Sequence, residues 1–279
     1  MIWDFNPIAF SVFGLDVRWY SLSYIAGFFL ALWWGYRLQQ KALSAPLSRE
    51  QFETLIFGTF FSGVIGGRLG HFLFYSPEIF VQNFSEIFKV WHGGMSIHGG
   101  LLGALFFLWW WSREKNISLL RITDILVIPL SVTLIFGRIG NFLNGELVGR
   151  PTDQIWGVIF PHIDNQLRHP SQLYEAAKNV ILSILLIFFF VQKKWQQKGF
   201  LTVSFLVGYG ILRFIVEFFK KPEGMILWLT TGQVLCLGMI GIGFLLAKKM
   251  NFWHNVPGYF YDKKNIRFLV CSFPSGVWE

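Results

Sequence analysis

Residues that could bind an anion are concentrated in the segment Gly137–Arg150, which reads GRIGNFLNGELVGR and follows an apolar run. Charged side chains at the edge of a bilayer need partners or water, so they indicate a functional site. If the segment begins as helix, Arg138 and Asn141 share one face. The fork of donors on a guanidinium group suits a phosphate. The alternative is an arginine that Glu146 or carbonyl groups satisfy where the helix ends, and for Arg150 the two interpretations have equal weight.

A second polar stripe lies in the segment Gly208–Lys220, which reads GYGILRFIVEFFK. Tyr209, Arg213 and Glu217 follow one another at steps of four residues, so all three lie on one face of a predicted helix. Because the residues between them are apolar, this face is expected to point into a helix bundle. One interpretation is an Arg213–Glu217 ion pair that fixes helix packing. The favoured one is a second cation for the same anion, with Glu217 orienting the arginine.

His98 lies in the segment GGMSIHGGLLG, at the predicted start of a helix. A lone histidine in an apolar segment is more often a packing residue than a base. Beside arginines and a phosphate it becomes a candidate proton acceptor, because histidine titrates near neutral pH. Tyr20, at the outer end of the first predicted helix, is either an interfacial anchor or a donor to a phosphate or glycerol group. The histidines lack a metal-ligand pattern, so no metal site is predicted.

Glycines with GxxxG spacing occur in the second and third predicted helices, at Gly63, Gly66, Gly67, Gly70, Gly99 and Gly103. Small residues at this spacing let helix backbones approach closely in a bilayer. Tight packing is therefore the preferred interpretation over a ligand-binding loop. Arg68 lies within the same glycine-rich face, and packing alone does not explain it.

The composition is that of an integral membrane protein. The 279 residues are 53% hydrophobic and carry only 14% charge, whereas about 25% of the residues in a soluble domain are charged. Apolar runs of about 20 residues recur, which is the length that crosses a bilayer. The net charge of +8 does not indicate nucleic acid, because the basic residues are spread over short loops. Two cysteines, Cys236 and Cys271, are too few for a disulfide framework.

Seven membrane helices are predicted from the apolar runs, so the expected fold class is an all-α integral membrane protein. The expected ranges are Trp19–Tyr36, Phe52–Tyr75, Ser96–Trp111, Ile122–Gly140, Gln172–Val191, Gly199–Phe219 and Leu227–Ala247. The fourth helix is the least regular of the seven, because Asp124 and Pro129 interrupt its apolar pattern.

Basic residues in the loops predict the orientation. Fourteen lie on the side of the carboxyl terminus: Arg37, Lys41, Arg49, Arg113, Lys115, Arg121, Lys193, Lys194, Lys198, Lys248, Lys249, Lys263, Lys264 and Arg267. Six lie on the other side: Arg18, Lys89, Arg150, Arg168, Lys220 and Lys221. Because basic loops are retained in the cytoplasm, the amino terminus is predicted outside and the carboxyl terminus inside.

The predicted organisation is one membrane domain, residues 1–250, followed by a basic, aromatic cytoplasmic tail, residues 251–279. A small polar extracytoplasmic region between helices four and five, residues 141–171, is expected to cover or form the site. The residues alone thus predict an outward-facing, arginine-lined site for an anionic amphiphile. A transporter or flippase for an anionic lipid or solute would use the same arginines. It would also predict an inverted repeat, and the sequence shows none.

Six segments, in order along the chain, resemble the prolipoprotein diacylglyceryl transferase family. They read RWYSLSYIAGF, GGRLGHFLFY, VWHGGMSIHGGLLG, GRIGNFLNGELVGR, RHPSQLYEA and GYGILRFIVEFFK. The resemblance implies a multi-pass enzyme of the bacterial cytoplasmic (inner) membrane, with its active site toward the periplasmic leaflet. The implied reaction transfers the diacylglyceryl group of phosphatidylglycerol to the thiol of the lipobox cysteine of a preprolipoprotein. A thioether forms and glycerol phosphate is released.

The resemblance also implies roles for single residues. Arg138 matches the arginine that binds phosphatidylglycerol. Further positions matched as substrate-binding are Asn141, Glu146, Gly149 and Arg68. The positions matched as catalytic are His98, Tyr20, Tyr209, Arg213 and Glu217.

The implied chemistry needs no cofactor, no metal and no nucleophile on the enzyme, because the substrate thiol attacks a glycerol carbon. The enzyme needs cations over the departing phosphate and a way to deprotonate a thiol with a pKa of about 8.5. Whether His98 takes that proton or the arginines lower the thiol pKa sufficiently stays open. The implied partners are phosphatidylglycerol, the lipobox segment and membrane lipids, and not nucleic acid.

Overall fold

A computed structural model describes residues 1–12, 14–43, 46–78, 83–89, 94–222 and 224–250. Seven long α-helices lie within these residues: α1 Trp19–Ala42, α2 Arg49–Phe74, α3 Ile97–Glu114, α4 Leu119–Leu143, α5 Ser171–Val191, α6 Phe200–Glu217 and α7 Thr231–Lys249. Each predicted helix coincides with one of them, with ends that differ by a few residues for most. The predicted tail, residues 251–279, lies outside the described residues.

Helix α4 is continuous, as predicted, and contains both Asp124 and Pro129, which interrupt its apolar pattern. Proline removes the backbone donor that would otherwise bind the carbonyl four residues earlier, here that of Ile125. The Thr133 hydroxyl donates to the Pro129 carbonyl at 2.9 Å, one turn further along the helix. Asp124 accepts hydrogen bonds from the backbone N–H of Gly199 at 2.5 Å and of Thr202 at 2.8 Å. These donors belong to the start of α6, which has no partners for its first N–H groups within its own helix. The acid therefore caps a neighbouring helix and does not break its own.

The pair α2–α3 packs backbone against backbone, as its GxxxG spacing predicts. A Cβ added to Gly70 would lie 2.9 Å from the Gly99 Cα atom, and one added to Gly66 would overlap the Gly99 carbonyl oxygen. Gly103 is similarly close to the Ser62 carbonyl. Only glycine permits this separation of the two helices.

Glycines also join α1 to α4. A Cβ on Gly137 would lie 2.8 Å from the Tyr24 ring, and one on Gly140 would lie 3.0 Å from the Tyr20 Cα atom. From the other side, Gly27 of α1 faces Thr133 of α4. The start of α1 is thereby held against the last turns of α4. The segment Gly137–Arg150, which we call the signature segment, begins there.

Within the described residues, three short antiparallel hairpins each precede a helix. Strands β1 (Ile8–Val12) and β2 (Leu15–Arg18) precede α1, β3 (Val158–Ile159) and β4 (Leu167–Arg168) precede α5, and β5 (Met225–Ile226) and β6 (Leu229–Thr230) precede α7. The amino terminus joins the second hairpin, because the backbone N–H of Trp3 donates to the Ile159 carbonyl at 2.8 Å. The polar region between α4 and α5 is therefore an ordered layer at one end of the bundle.

The surface of the bundle is apolar along its length. Four helices in the described residues, α4 to α7, are long and apolar enough to cross a membrane. Large apolar side chains stay exposed on several helices, among them Phe29, Ile65, Phe106 and Ile184. Contiguous apolar surface of this kind needs an apolar environment. The fold is thus all-α with short hairpins, and it is that of a membrane protein.

Candidate functional site

A buried carboxylate at one end of the bundle is surrounded by cations. Glu175, in the second turn of α5, has a side chain that is 1% exposed. Its carboxylate oxygens lie 2.5 Å from Arg213 Nη1, 3.4 Å from Lys178 Nζ, 3.6 Å from Lys220 Nζ and 3.8 Å from Arg138 Nε. The four cations come from α4, α5, α6 and the residues after α6. We call these residues, together with Glu217, the ionic cluster.

Glu217 is the second carboxylate of the cluster and lies 2.7 Å from Arg213 Nη1. The Thr230 hydroxyl, which also caps the start of α7, donates to Glu217 Oε1 at 3.2 Å. A Cβ on Gly232 would come within 2.5 Å of that oxygen, so only glycine leaves room for the carboxylate there. A negative charge is favourable at a helix amino terminus. The predicted Arg213–Glu217 pair is present, and α7 holds it in place.

The cluster has four cations for two carboxylates, a formal excess of two positive charges. The Glu175 oxygens, Glu217 Oε2 and Arg213 Nη1 are buried and paired by charge, yet none of them makes a hydrogen bond of good geometry. Buried charges are costly when their hydrogen-bonding capacity is unused. An anion with several acceptor oxygens would balance the excess charge and accept a hydrogen bond from Arg213 Nη1.

Tyr209 joins the cluster through Lys178. The Lys178 ammonium lies 3.7 Å from the centre of the Tyr209 ring and donates to Asn179 Oδ1 at 2.7 Å. An ammonium over an aromatic face is stabilised by the electron-rich ring. The predicted face of Tyr209, Arg213 and Glu217 on α6 is therefore turned toward Lys178 and Glu175 of α5.

The signature segment turns sharply where α4 ends. The helix ends at Leu143, and Gly145 follows with a φ of 67°, a left-handed conformation that suits glycine. Leu147 also has a positive φ, 55°, which is strained for a residue with a side chain. Asn144 is 9% exposed, and its amide donates to Glu146 Oε1 at 3.1 Å. Glu146 itself is exposed and does not pair with Arg138. An Arg138–Glu146 ion pair was one of the alternatives from the sequence.

Gly149 and Arg150 fasten the signature to the rest of the site. The Gly149 N–H donates to the His169 carbonyl at 3.0 Å, and a Cβ there would lie 2.6 Å from the Phe219 carbonyl oxygen. Arg150 Nε donates to the Lys220 carbonyl at 2.7 Å. Gly149 thus fits between two backbone segments, and Arg150 holds the segment that presents Lys220. Direct contact of Gly149 with a substrate stays a prediction.

The ion pair of Arg168 with Asp164 in the polar layer supports the backbone of the signature segment. Arg168 donates to the Gly149 carbonyl at 3.1 Å and to Asp164 Oδ1 at 3.0 Å. The guanidinium group holds the pKa of Asp164 below its usual range. Burial likewise lowers the pKa of His169, whose Nδ1 lies 3.2 Å from the Tyr174 hydroxyl. His169 is therefore favoured in its neutral form beside the signature.

Tyr20 lies beside the cluster at the start of α1. Its ring centre is 4.8 Å from that of Tyr24, and its hydroxyl is within electrostatic range of Glu146 and Arg138. Asn141 is 5% exposed and shares the last turns of α4 with Arg138. The predicted grouping of Arg138 with Asn141 on one helix end is compatible with this arrangement.

Arg68 and His98 belong to the α2–α3 pair. The buried Arg68 donates to the backbone carbonyls of Glu86 at 2.5 Å, Lys89 at 3.0 Å and Gly94 at 3.1 Å. These contacts hold the connection between α2 and α3, so a contact of Arg68 with lipid stays a prediction. His98 is exposed in the first turn of α3. No contact within the described residues joins either side chain to the ionic cluster.

Three residues of the cluster were missed by the sequence interpretation: Glu175, Lys178 and Lys220. A signal for two of them was present, because Glu175 and Lys178 stand three residues apart in a helix that has no other charged residue. The same criterion had identified the stripe on α6. Glu175 also belongs to the segment RHPSQLYEA, which carries part of the resemblance.

Comparisons with known proteins agree with one family. The family model for prolipoprotein diacylglyceryl transferase matches residues 7–248. A phosphatidylglycerol–prolipoprotein diacylglyceryl transferase of Nitrosomonas europaea is 41% identical over 267 residues, 94% of this chain and 92% of the relative. The proteins of the same name from Cupriavidus pinatubonensis and Legionella pneumophila strain Lens are each 42% identical. These two alignments cover 88% and 87% of this chain, and 91% and 96% of the relatives.

The match extends over nearly all of the described residues, including all seven helices and the ionic cluster. Identity of this degree over such a length indicates common descent and a shared fold and activity. The chain is therefore a multi-pass membrane protein and a transferase. It belongs to the prolipoprotein diacylglyceryl transferase family.

Proposed function

We propose that this protein transfers the diacylglyceryl group of phosphatidylglycerol to the thiol of the lipobox cysteine of a preprolipoprotein. A carbon–sulfur bond forms at the glyceryl carbon, and the bond from that carbon to the phosphate oxygen breaks. Glycerol phosphate leaves with the electron pair, and the thiol proton passes to a base. The proposal is supported by the names of the relatives and by the cationic excess of the ionic cluster.

The ionic cluster is proposed to hold the lipid phosphate. Arg138, Arg213, Lys178 and Lys220 surround the Glu175 carboxylate, and their excess of positive charge suits a phosphate that gains charge as it leaves. Without ligand, Glu175 is a substitute anion that keeps the cations together. The phosphate then binds to donors that are already in position, so little reorganisation accompanies the reaction.

The other site residues receive roles from the resemblance. His98 is proposed as the group that accepts the thiol proton, and its exposed position at the start of α3 leaves it accessible to a substrate. Tyr20 and Asn141 are proposed to contact the lipid head group beside Arg138. Glu146, exposed at the turn, is proposed to bind the glycerol part of the substrate. The contacts of Arg68 and Gly149 support a role in shaping the site.

The proposed topology has seven transmembrane helices, with the amino terminus outside and the carboxyl terminus inside. It is supported by the seven helices, by their alternating direction between loops and by the excess of basic residues in the loops of one side. The ionic cluster and residues 141–171 then face the periplasmic leaflet of the bacterial inner membrane. Residues 1–250 form the catalytic domain, and residues 251–279 are a cytoplasmic tail.

The proposal is tested with purified protein, phosphatidylglycerol labelled in its glyceryl group and a lipobox peptide. We expect a labelled thioether with the cysteine peptide and none with a serine peptide. Arg138→Ala should slow its formation by on the order of 100-fold, the effect of removing one preorganised donor. Arg49→Ala, an exposed arginine paired with Glu53, is the control and should be within about twofold of wild type. Lipid uptake without any thioether would support a transporter and contradict the proposal.

A further inference from the structure

A second cationic cavity lies at the opposite end of the bundle from the ionic cluster, the end that we propose faces the cytoplasm. Its volume is about 830 Å³. It is formed where α1 ends, where α2 and α4 begin, and by the connection from α5 to α6. None of its lining residues belongs to the ionic cluster, so the two sites are separate.

Three cations line this cavity, Lys41, Lys115 and Arg121, and none of the described lining residues is acidic. Lys41 and Lys115 are exposed and have no ion pair with the described part of the chain. Arg121 donates to the backbone carbonyls of Trp195 and Gln196, which fixes the α5–α6 connection as one wall. The retention of basic residues in cytoplasmic loops explains cations at this end. It does not explain why they share one cavity without a carboxylate.

Apolar groups form the rest of the lining. Leu47 and Ile117 line the cavity. Leu47 belongs to the apolar core between the first four helices, and Ile117 packs against that core. The Trp195 side chain is half-buried at the rim. Tryptophan is typical of the level of lipid head groups. Cations next to apolar walls at the membrane surface match a molecule with a phosphate attached to an apolar body.

We propose that this cavity binds the phosphate-bearing head group of an anionic phospholipid from the cytoplasmic leaflet. Basic pockets between helices on this side of a membrane are suited to such head groups. A soluble phosphate has the same charge and would use only the cations. The lipid would also cover Leu43 and Ile117, which line the cavity and are only half-buried. The lipid is therefore the proposed occupant.

The test measures binding of phosphatidic acid to the purified, delipidated full chain by native mass spectrometry. All variants carry Arg138→Ala, to weaken binding at the ionic cluster. Lys41→Gln with Lys115→Gln should weaken binding by on the order of 30-fold, the effect of two cations near an anionic phosphate. Lys248→Gln with Lys249→Gln removes the same charge at the same end but outside the cavity, and should leave binding unchanged.

Three results would overturn the proposal: equal weakening in both double variants, no weakening in the cavity variant, or displacement of the lipid by millimolar glycerol phosphate. The last would identify a soluble phosphate as the occupant. If the cavity variant does not fold, the single changes Lys41→Gln and Lys115→Gln answer the question, with about fivefold weakening expected for each. The measurement is independent of thioether formation, so it separates this proposal from the proposed function.

Discussion

Two arginines within the helix bundle have opposite kinds of partner. Arg68 in α2 donates to uncharged backbone carbonyls between residues 86 and 94 and holds a connection in place. Arg213 in α6 lies against two carboxylates and shares one of them with three further cations. An arginine within a membrane domain is therefore not by itself evidence for a ligand. The indication of a binding site is a group of cations with too few carboxylates.

The helices around the two arginines differ in the same way. Helices α2 and α3 meet through glycines such as Gly66 and Gly99, whose backbones are in contact. The ends of α4, α5, α6 and the start of α7 meet through charged side chains. Backbone contact makes a rigid pair that leaves little room for a ligand, whereas the charged end has unused hydrogen-bonding capacity. The pair α2–α3 is thus the rigid part of the bundle, and the ends of α4 to α7 are the part suited to binding.

The largest effect on stability is expected at Glu175, the carboxylate that the ionic cluster has and the α2–α3 pair lacks. Glu175→Gln raises the cationic excess of the cluster from two to three and leaves buried cations unpaired. The free energy of unfolding should fall by roughly 3–5 kcal/mol, measured by chemical unfolding in detergent. Glu53→Gln, which removes an exposed partner of Arg49, should change it by less than about 1 kcal/mol. Equal stability of the two variants would contradict the central place of Glu175.

The α2–α3 region is expected to contribute one reacting group, the proton acceptor His98. His98→Gln should lower the rate of thioether formation by on the order of 100-fold, because a positioned base is lost. Raising the pH should restore part of the rate, since more of the substrate thiol then ionises without help. His71→Gln, near the end of α2, is the matched control. If the pH–rate profile of His98→Gln has the shape of the wild-type profile, His98 is not the base.

The smallest effect is expected at Arg68, and it sharpens the comparison most. Arg68→Lys keeps the charge but loses the fork that reaches several carbonyls, so stability should fall by about 2 kcal/mol. The KM for phosphatidylglycerol should stay at the wild-type value in Arg68→Lys and rise in Arg138→Lys. A raised KM with unchanged stability in Arg68→Lys would make Arg68 a lipid-binding residue, as the resemblance implies. The two regions would then no longer differ in the role of their arginine.

Much of the fold follows from the sequence because apolar runs and GxxxG spacing are local patterns. The helices and the close approach of α2 and α3 were predicted from them. The role of Asp124 could not be predicted, since its partners at the start of α6 are about 75 residues away in the chain. The hairpin β1–β2 was not predicted at all. Distant capping partners and short strands have no periodic signal in the sequence.

Half of the ionic cluster could be predicted, and the other half required the tertiary structure. Spacing places Arg213 and Glu217 on one face of one helix, and they are paired in the structure. It does not say that α5 supplies Glu175 and Lys178 to that face. For Arg68 the limit is different, because backbone carbonyl partners leave no trace in the residue types around it.

The most direct test of the ionic cluster as the phosphate site is an experimental structure with phosphatidylglycerol bound in a lipid bilayer. We expect the lipid phosphate within about 4 Å of the guanidinium groups of Arg138 and Arg213, with Glu175 behind them. A phosphate bound at Arg68, or anywhere outside the cluster, while the contacts of Glu175 are unchanged, would contradict it.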